Sequence, residues 1–381
     1  MREVTLKVLD SLAAIAPSEW DTLANGNPTL SHAFLQSMID ASCTTAATGW
    51  VPQFLTLFRE VEGRETLAGA VPLYLKTHSY GEYVFDWAWA EAYQRHGLDY
   101  YPKLLAAVPF TPCSGARLMA LTSTDRLRLV EGLLSLAAQN DVSSLHVLFP
   151  EQHEQDLLVA AGMMPRSSVQ FHWRNAGYRN FDDFLATMSH DKRKKLKQER
   201  RRVRDAGITF RCVEGASINV QDWDFFFSCY RRTYRAHLST SYLNREFFGL
   251  IGERMPENIL LIVAEREGKP IASALNIFNA STLFGRYWGA HEFHSGLHFE
   301  TCYYQALEFC IERDIAVFEG GAQGEHKLAR GFLPVICRSV HWLKHPQFAK
   351  AVEDFLSREA GGIDQYVDEL KESTPFKIDK L

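Results

Sequence analysis

A chain of 381 residues exceeds the roughly 250–300 residues at which a single hydrophobic core stops growing, so two domains are expected. With 46% hydrophobic and 23% charged residues the composition is globular, which excludes a disordered or fibrous chain. A net charge of −5 excludes a surface that binds polyanions everywhere, so any basic contact must be local.

In chain order, a helix is predicted over 30–42, then strands over 54–60 and 67–76 around a turn at 62–64. A third strand is expected over 82–89. Tyr83, Phe85, Trp87 and Trp89 alternate there with Val84, Asp86 and Ala88, which gives one aromatic face. A helix over 125–140, a strand over 145–149, a helix over 152–161 and a strand over 168–173 complete the first half. The second half opens with a polar helix over 181–206 and a strand over 209–213. Helices over 222–237 and 244–254 and a hairpin of 259–265 with 270–278 follow. Then come a strand over 282–290, a helix over 298–313, a strand over 315–319, a Gly-rich loop, a strand over 339–343 and a helix over 348–359. Helix, hairpin, strand, helix, strand is an order that recurs once per half.

The segment 1–17 mixes Arg2, Glu3, Lys7 and Asp10 into its apolar residues, unlike a secretory signal. The longest aliphatic run, 259–264, is far short of the ~20 residues that cross a bilayer. Seven cysteines, odd in number and without a C-x-x-C pair, fit reduced thiols. The expected location is cytoplasmic, with the inner membrane face as a surface within reach.

Several stretches are long and unusual: 76–90 (KTHSYGEYVFDWAWA), 100–103 (YYPK), 109–112 (PFTP), 115–117 (GAR) and the basic run 193–201. In the second half come 285–289 (GRYWG), 298–305 (HFETCYYQ) and 321–331 (GAQGEHKLARG). In these motifs the chain resembles the FemAB-like family of N-acyltransferases, of peptidoglycan biosynthesis or recognition, within the acyl-CoA N-acyltransferase superfamily. The resemblance implies an α/β (α+β) fold of two tandem N-acetyltransferase-like domains, 1–177 and 178–381, each a mixed sheet flanked by helices. It also implies transfer of an aminoacyl or fatty-acyl group to an amine of a cell-envelope precursor or lipid. The donor is then a co-substrate, either aminoacyl-tRNA or an acyl-CoA or acyl-carrier thioester, with no tightly bound cofactor. The acceptor is a small-molecule or lipid-linked amine. One departure stands out. Coenzyme-A-dependent members carry Arg/Gln-x-x-Gly-x-Gly/Ala before the helix, where backbone N–H groups hold a pyrophosphate; here 291–298 reads HEFHSGLH, with one glycine.

Acyl transfer to an amine needs a base, donors for the oxyanion, and positioning of both substrates. The loop 320–331 follows a strand, where open α/β sheets bind ligands, and crowds Gln323, Glu325, His326, Lys327 and Arg330 together. The alternative is a Gly-rich turn with solvated charges. His298 and Glu300 open the next helix and, with Arg286, form a base held by a cation; alternatively Glu300 is a favourable charge at a helix start. The expected catalytic set is Glu325, His326, Glu300, His298 and Arg286. Trp288, Tyr304, Gln323, Lys327 and Arg330 are its substrate contacts. Tyr303 has core spacing and is expected to pack. His291, His294 and His298 have metal-like spacing, but Ser295 and Gly296 interrupt it. A metal-dependent hydrolase is therefore an alternative, and no metal is expected.

In the first half Tyr80, Glu82, Tyr83 and Asp86 are expected to bind the acceptor. Tyr100, Tyr101, Lys103 and Arg117 complete that pocket, the last two as phosphate contacts. For Phe85, Trp87 and Trp89 an aromatic core sheet is the simpler account. Residues 191–205 hold nine Lys or Arg against three acids, net +6, which leaves −11 elsewhere. Arg193, Lys194, Lys197, Arg200 and Arg201 would there touch a tRNA backbone or an anionic membrane surface, the alternative being a solvated helix. The second half, with the denser polar loop, is expected to hold the chemistry. A non-catalytic protein that binds peptidoglycan or lipid precursors is the competing function.

Overall fold

The computed structural model describes residues 4–321 and 324–377, apart from the side chain of Asp364. The chain forms two compact units, 1–168 with 336–365 and 169–335 with 366–381. The sequence reading divided the chain at 177/178 and gave 336–365 to the second half. Those residues return to the first unit because 339–343 pair antiparallel with Ser144–Leu148. Such a non-local pairing leaves no mark in local periodicity.

In the first unit Val4–Leu9, Phe54–Val61, Arg64–Val71 and Met119–Ala120 form one antiparallel sheet. A second sheet runs Trp50–Pro52, Leu73–Lys76, Lys103–Ala106, Ser144–Leu148 and 339–343, with Lys103–Ala106 parallel to Ser144–Leu148. The helix Ser123–Gln139 packs Leu129, Val130, Leu133 and Ala137 into a core with Leu55, Leu73, Leu104 and Leu145.

The expected strand over 82–89 is absent. Residues 77–86 are irregular, Gly81 and Tyr83 adopt left-handed backbone, and a helix Trp87–Arg95 follows. The aromatic pattern has a helical explanation: Trp89 and Tyr93, four residues apart, bury one face against Leu343, Val352 and Leu356. The terminal helix, expected over 348–359, spans Pro346–Glu372.

The second unit orders Ile208–Glu214, Ile259–Arg266, Lys269–Phe278, Thr282–Ala290, Val317–Glu319 and 172–174 into one sheet. The long polar helix divides into Phe181–Thr187 and His190–Asp205, because Met188 is extended and bridges to Phe376. Helix Val220–Ala236 lies against Thr282–Ala290 so closely that a Cβ on Gly289 would sit 2.0 Å from the Cys229 carbonyl oxygen. Only glycine fits there. The segment 297–312 is helical, widened by a π turn over Glu300–Tyr304. Tyr304, Leu307 and Phe318 centre the core. Each unit thus carries the mixed sheet and flanking helices of an N-acetyltransferase-like domain.

Among the described residues no helix is long and apolar enough to cross a membrane.

Candidate active site

Two strands part company in the second unit. Thr282–Ala290 pairs with Val317–Glu319 only through residues 282–284, in parallel. On its other edge the register shifts between Leu275↔Tyr287 and Asn276↔Gly285, which leaves Arg286 as the extra residue of a β-bulge. Past that point the strands diverge and a cavity of about 290 Å³ opens. Arg286, Trp288, His298, Tyr303, His326, Lys327 and Asn276 contribute to its wall, and among the described residues no Asp or Glu lines it.

The His298 ring lies 4.3 Å from Trp288 and 6.1 Å from His326, centroid to centroid. Burial pushes its imidazole down to about 4, and the neighbouring His326, Arg330 and Lys327 add to the shift. His326 is lowered too, by burial first and then by Lys327 and Arg330. Its Nε2 lies 3.2 Å from the Tyr303 hydroxyl. Tyr303, expected from its spacing to pack only, is therefore part of the cavity. Lys327 is 2% exposed and donates to the Gly321 carbonyl at 3.0 Å. Burial brings its ammonium down to about 8.

Arg286, Trp288, His298, His326 and Lys327 thus come together as the sequence suggested. Glu325 and Glu300 do not. Glu325 is exposed and accepts from the Tyr366 hydroxyl at 2.6 Å. Glu300 is buried on the far side of its helix, where Arg200 donates to it at 2.8 Å and Gln305 at 2.8 Å. Its carboxyl is raised by burial, against the pull of Arg200. That pair lines a separate cavity of about 700 Å³. Two residues apart on one helix, Glu300 and His298 lie about 200° apart around its axis and so on opposite faces. Arg330 and Tyr304 also miss the wall. Both bind Glu199, Arg330 at 2.9 Å, and so tie the loop to the basic helix. Gln323 lies outside the described residues.

The other two histidines of the metal-like spacing go elsewhere. His291 Nε2 meets the Ser228 hydroxyl at 2.8 Å and His294 Nε2 meets Glu292 at 2.7 Å. Among the described residues no group of three or more His, Cys, Asp or Glu is placed to hold a metal ion.

In the first unit Glu82, Asp86, Tyr100 and Lys103 gather in a buried cluster. The Lys103 ammonium donates to Ser79 at 2.8 Å, to Glu82 at 2.8 Å and to Asp86. Its three protons are therefore used inside the fold, which removes it as a phosphate contact. Burial raises Glu82 to about 7 and lowers Lys76, beside it, to about 7. Tyr100 donates to Asp86 at 2.6 Å, and Tyr101 reaches the cluster through Ser79 at 2.8 Å. Tyr83 is partly buried in the irregular loop, and Tyr80 is exposed, edge-on to Trp87 at 4.9 Å. Arg117 is fully buried and donates to the carbonyls of Cys113, Gly115 and Leu148. It holds a loop rather than a phosphate.

Sequence reasoning missed His146 and His341, whose Nδ1 atoms lie 2.7 Å apart beneath Tyr100, and it missed Asn276. A signal existed for each. Each is a polar residue flanked on both sides by apolar ones within a strand, between Leu145 and Val147, Val340 and Trp342, and Leu275 and Ile277.

Along the basic helix Arg200 is committed to Glu300 and Glu308, and Lys197 approaches Asp182 at 3.3 Å. Arg193, Lys194, Lys197 and Arg201 line a surface cavity of about 410 Å³.

Comparison with curated proteins finds no match. Among solved structures, FemX is 12% identical, covering 89% of this chain and 98% of its own, at a TM-score of 0.55. L-PGS from Bacillus licheniformis is 11% identical, covering 90% and 97%, at 0.51. At such identities these likenesses show the fold. The model of the FemAB-like family, described as peptidoglycan biosynthesis/recognition, matches residues 11–378, and the chain belongs to that family.

Proposed function

We propose that this protein is an N-acyltransferase that moves an aminoacyl group onto an amine of a cell-envelope precursor or lipid, with the cavity of the second unit as its reacting centre. The observation that carries the reading is the cavity wall, which brings together two cationic side chains and two imidazoles of lowered pKa. The Lys327 ammonium, held by the Gly321 carbonyl, directs its field at charge that develops on a bound carbonyl.

In this reading the carbonyl of the donor points at Lys327 and Arg286. The acceptor enters as an ammonium and gives a proton to a neutral imidazole, His326 or His298, which frees its lone pair. The nitrogen then bonds to the carbonyl carbon and the π pair moves to oxygen. Collapse expels the donor's hydroxyl or thiol, which leaves with a proton. Trp288 and His298, their rings 4.3 Å apart, supply the apolar surface that positions the acyl chain.

Aminoacyl-tRNA is favoured over coenzyme A thioesters by two features. The loop 291–298 has one glycine, and the Leu297 N–H that would face a pyrophosphate already donates to the His294 carbonyl at 3.1 Å. The basic helix offers Arg193, Lys194 and Arg201 around an open cavity, a chemistry suited to a phosphate backbone.

The test incubates purified protein with an envelope extract and, in parallel, mixed aminoacyl-tRNA, acetyl-CoA or palmitoyl-CoA, and reads new amides by mass spectrometry. The expected product appears with aminoacyl-tRNA alone. A product made only from a thioester reverses the donor assignment. No product from any donor removes the transferase reading in favour of a binding protein.

A further inference from the structure

Asn276 is 1% exposed in the middle of the strand Lys269–Phe278, between Leu275 and Ile277. Its amide nitrogen has no hydrogen-bond partner among the described residues, although the residue lines the cavity. Buried amide donors are almost always satisfied, because leaving water without a replacement partner is costly. A fold that keeps an amide here, in a strand whose neighbours are aliphatic, holds a donor in reserve for a molecule it does not contain.

The position fits that role. Asn276 pairs across the sheet with Gly285, at the point where Arg286 is bulged out of the ladder. A Cβ on Gly285 would lie 2.9 Å from the Phe318 ring, so this corner has no room for a side chain. The wall shared by Asn276, Arg286 and Lys327 brings an amide donor and two cations to one side of the cavity. Such a set recognises an oxygen that is becoming negative.

We propose that Asn276 is a catalytic residue, the neutral donor of an oxyanion site whose charged members are Lys327 and Arg286. The inference rests on the acyltransfer reading above and names the group that acts at its central step. As the amine nitrogen bonds to the acyl carbon, the carbonyl π pair moves onto oxygen. The Asn276 N–H then gains the partner it lacks in the free protein. On collapse the pair returns, the bond to the leaving oxygen or sulfur breaks, and the N–H is released. Because the hydrogen bond strengthens as charge develops, its loss lowers kcat more than it raises KM.

Two measurements on the full chain separate this proposal from the reading it rests on. The first follows turnover with whichever donor the wild type uses. Asn276→Ala is expected to lose about 100–1,000-fold in kcat with KM within about threefold, and Asn276→Ser, which keeps a small donor, to recover part of it. A kcat unchanged in Asn276→Ala overturns the proposal while leaving the transferase reading intact. If the wild type turns over no donor, the transferase reading fails by itself and the second measurement decides. It titrates wild type and both variants with methylphosphonate, a tetrahedral anion, and with acetate, a planar one, watching the Asn side-chain amide resonances. The expected result is methylphosphonate affinity at least tenfold weaker in Asn276→Ala, with acetate little changed, and a shifted Asn276 amide signal in wild type. Equal methylphosphonate affinity in wild type and Asn276→Ala overturns the proposal. Should Asn276→Ala not fold, Asn276→Leu, close in size and without a donor, carries the same comparison.

Discussion

Acidification should destabilise the first unit through two histidines. His146 and His341 are 1% exposed, and their Nδ1 atoms, 2.7 Å apart, share a single proton. The outer nitrogens are engaged as well, His146 Nε2 by Ser144 at 2.9 Å and His341 Nε2 by Ser339 at 2.9 Å. Burial pushes His146 down to about 3 and His341 well below its ordinary value, with the nearby Lys103 and Arg166 charges acting in the same direction. A depressed folded-state pKa means that the unfolded chain binds the proton first. The contribution to stability is therefore complete above the unfolded value of ~6.5 and is lost as pH falls from there towards the folded values. At pH 5 an unfolded histidine of pKa ~6.5 is favoured by about 2 kcal/mol per residue over its neutral form, or about 4 kcal/mol for the two. His341→Gln keeps a hydrogen-bonding side chain but cannot titrate, so it should remove about half of that pH dependence. Urea unfolding followed by tryptophan fluorescence at pH 5, 6, 7 and 8 measures the slopes. Equal slopes for wild type and His341→Gln would refute the reasoning.

The Lys327 ammonium loses its proton as pH rises through about 8, so kcat/KM should drop roughly tenfold between pH 7 and pH 9. Lys327→Arg should remove that alkaline limb, and a wild-type profile flat to pH 9.5 would contradict the role given to Lys327. Glu325→Gln should leave turnover unchanged, since that carboxylate bonds Tyr366 outside the cavity; a large loss would restore Glu325 to the reacting centre. Glu300→Gln should lower stability by about 1.5–3 kcal/mol by weakening the Arg200 pair, with kcat per folded molecule preserved. Gly289→Ala should cost ~3 kcal/mol or more, because a methyl group 2.0 Å from the Cys229 carbonyl forces strand and helix apart, and a Tm within a degree or two of wild type would show that the contact relaxes freely.

Much of the second unit was legible because its elements are long and strongly patterned. The hairpin Ile259–Arg266 with Lys269–Phe278 and the strand Thr282–Ala290 lie where the apolar runs and the turn between them placed them. The misreadings share a physical cause. At 82–89 alternation mimicked a strand, but the left-handed backbone at Gly81 and Tyr83 breaks extension and the rings of Trp89 and Tyr93 pack at helical spacing. The break at Met188 depends on a bridge to Phe376, a partner that local propensity does not contain.

The site was legible as a gathering of residue types and illegible as an orientation. Glu300 and His298 lie about 200° apart around their helix, and it takes the packed structure to show that His298 faces the cavity and Glu300 faces Arg200. In the first half Glu82, Asp86 and Lys103 lie together as each other's partners, a pairing that their sequence spacing does not show. Asn276 carried a readable signal, an amide among aliphatic residues, and its meaning emerged only once the β-bulge beside it was in place.

The most direct test of the account compares the N-acylated envelope lipids and peptides of a deletion strain carrying wild-type protein with those of one carrying Lys327→Met, by mass spectrometry. The account predicts an aminoacylated species present with the wild type and reduced at least a hundredfold with Lys327→Met, at equal protein abundance. Identical N-acyl pools in the two strains would contradict it and would make the cavity a binding pocket without turnover.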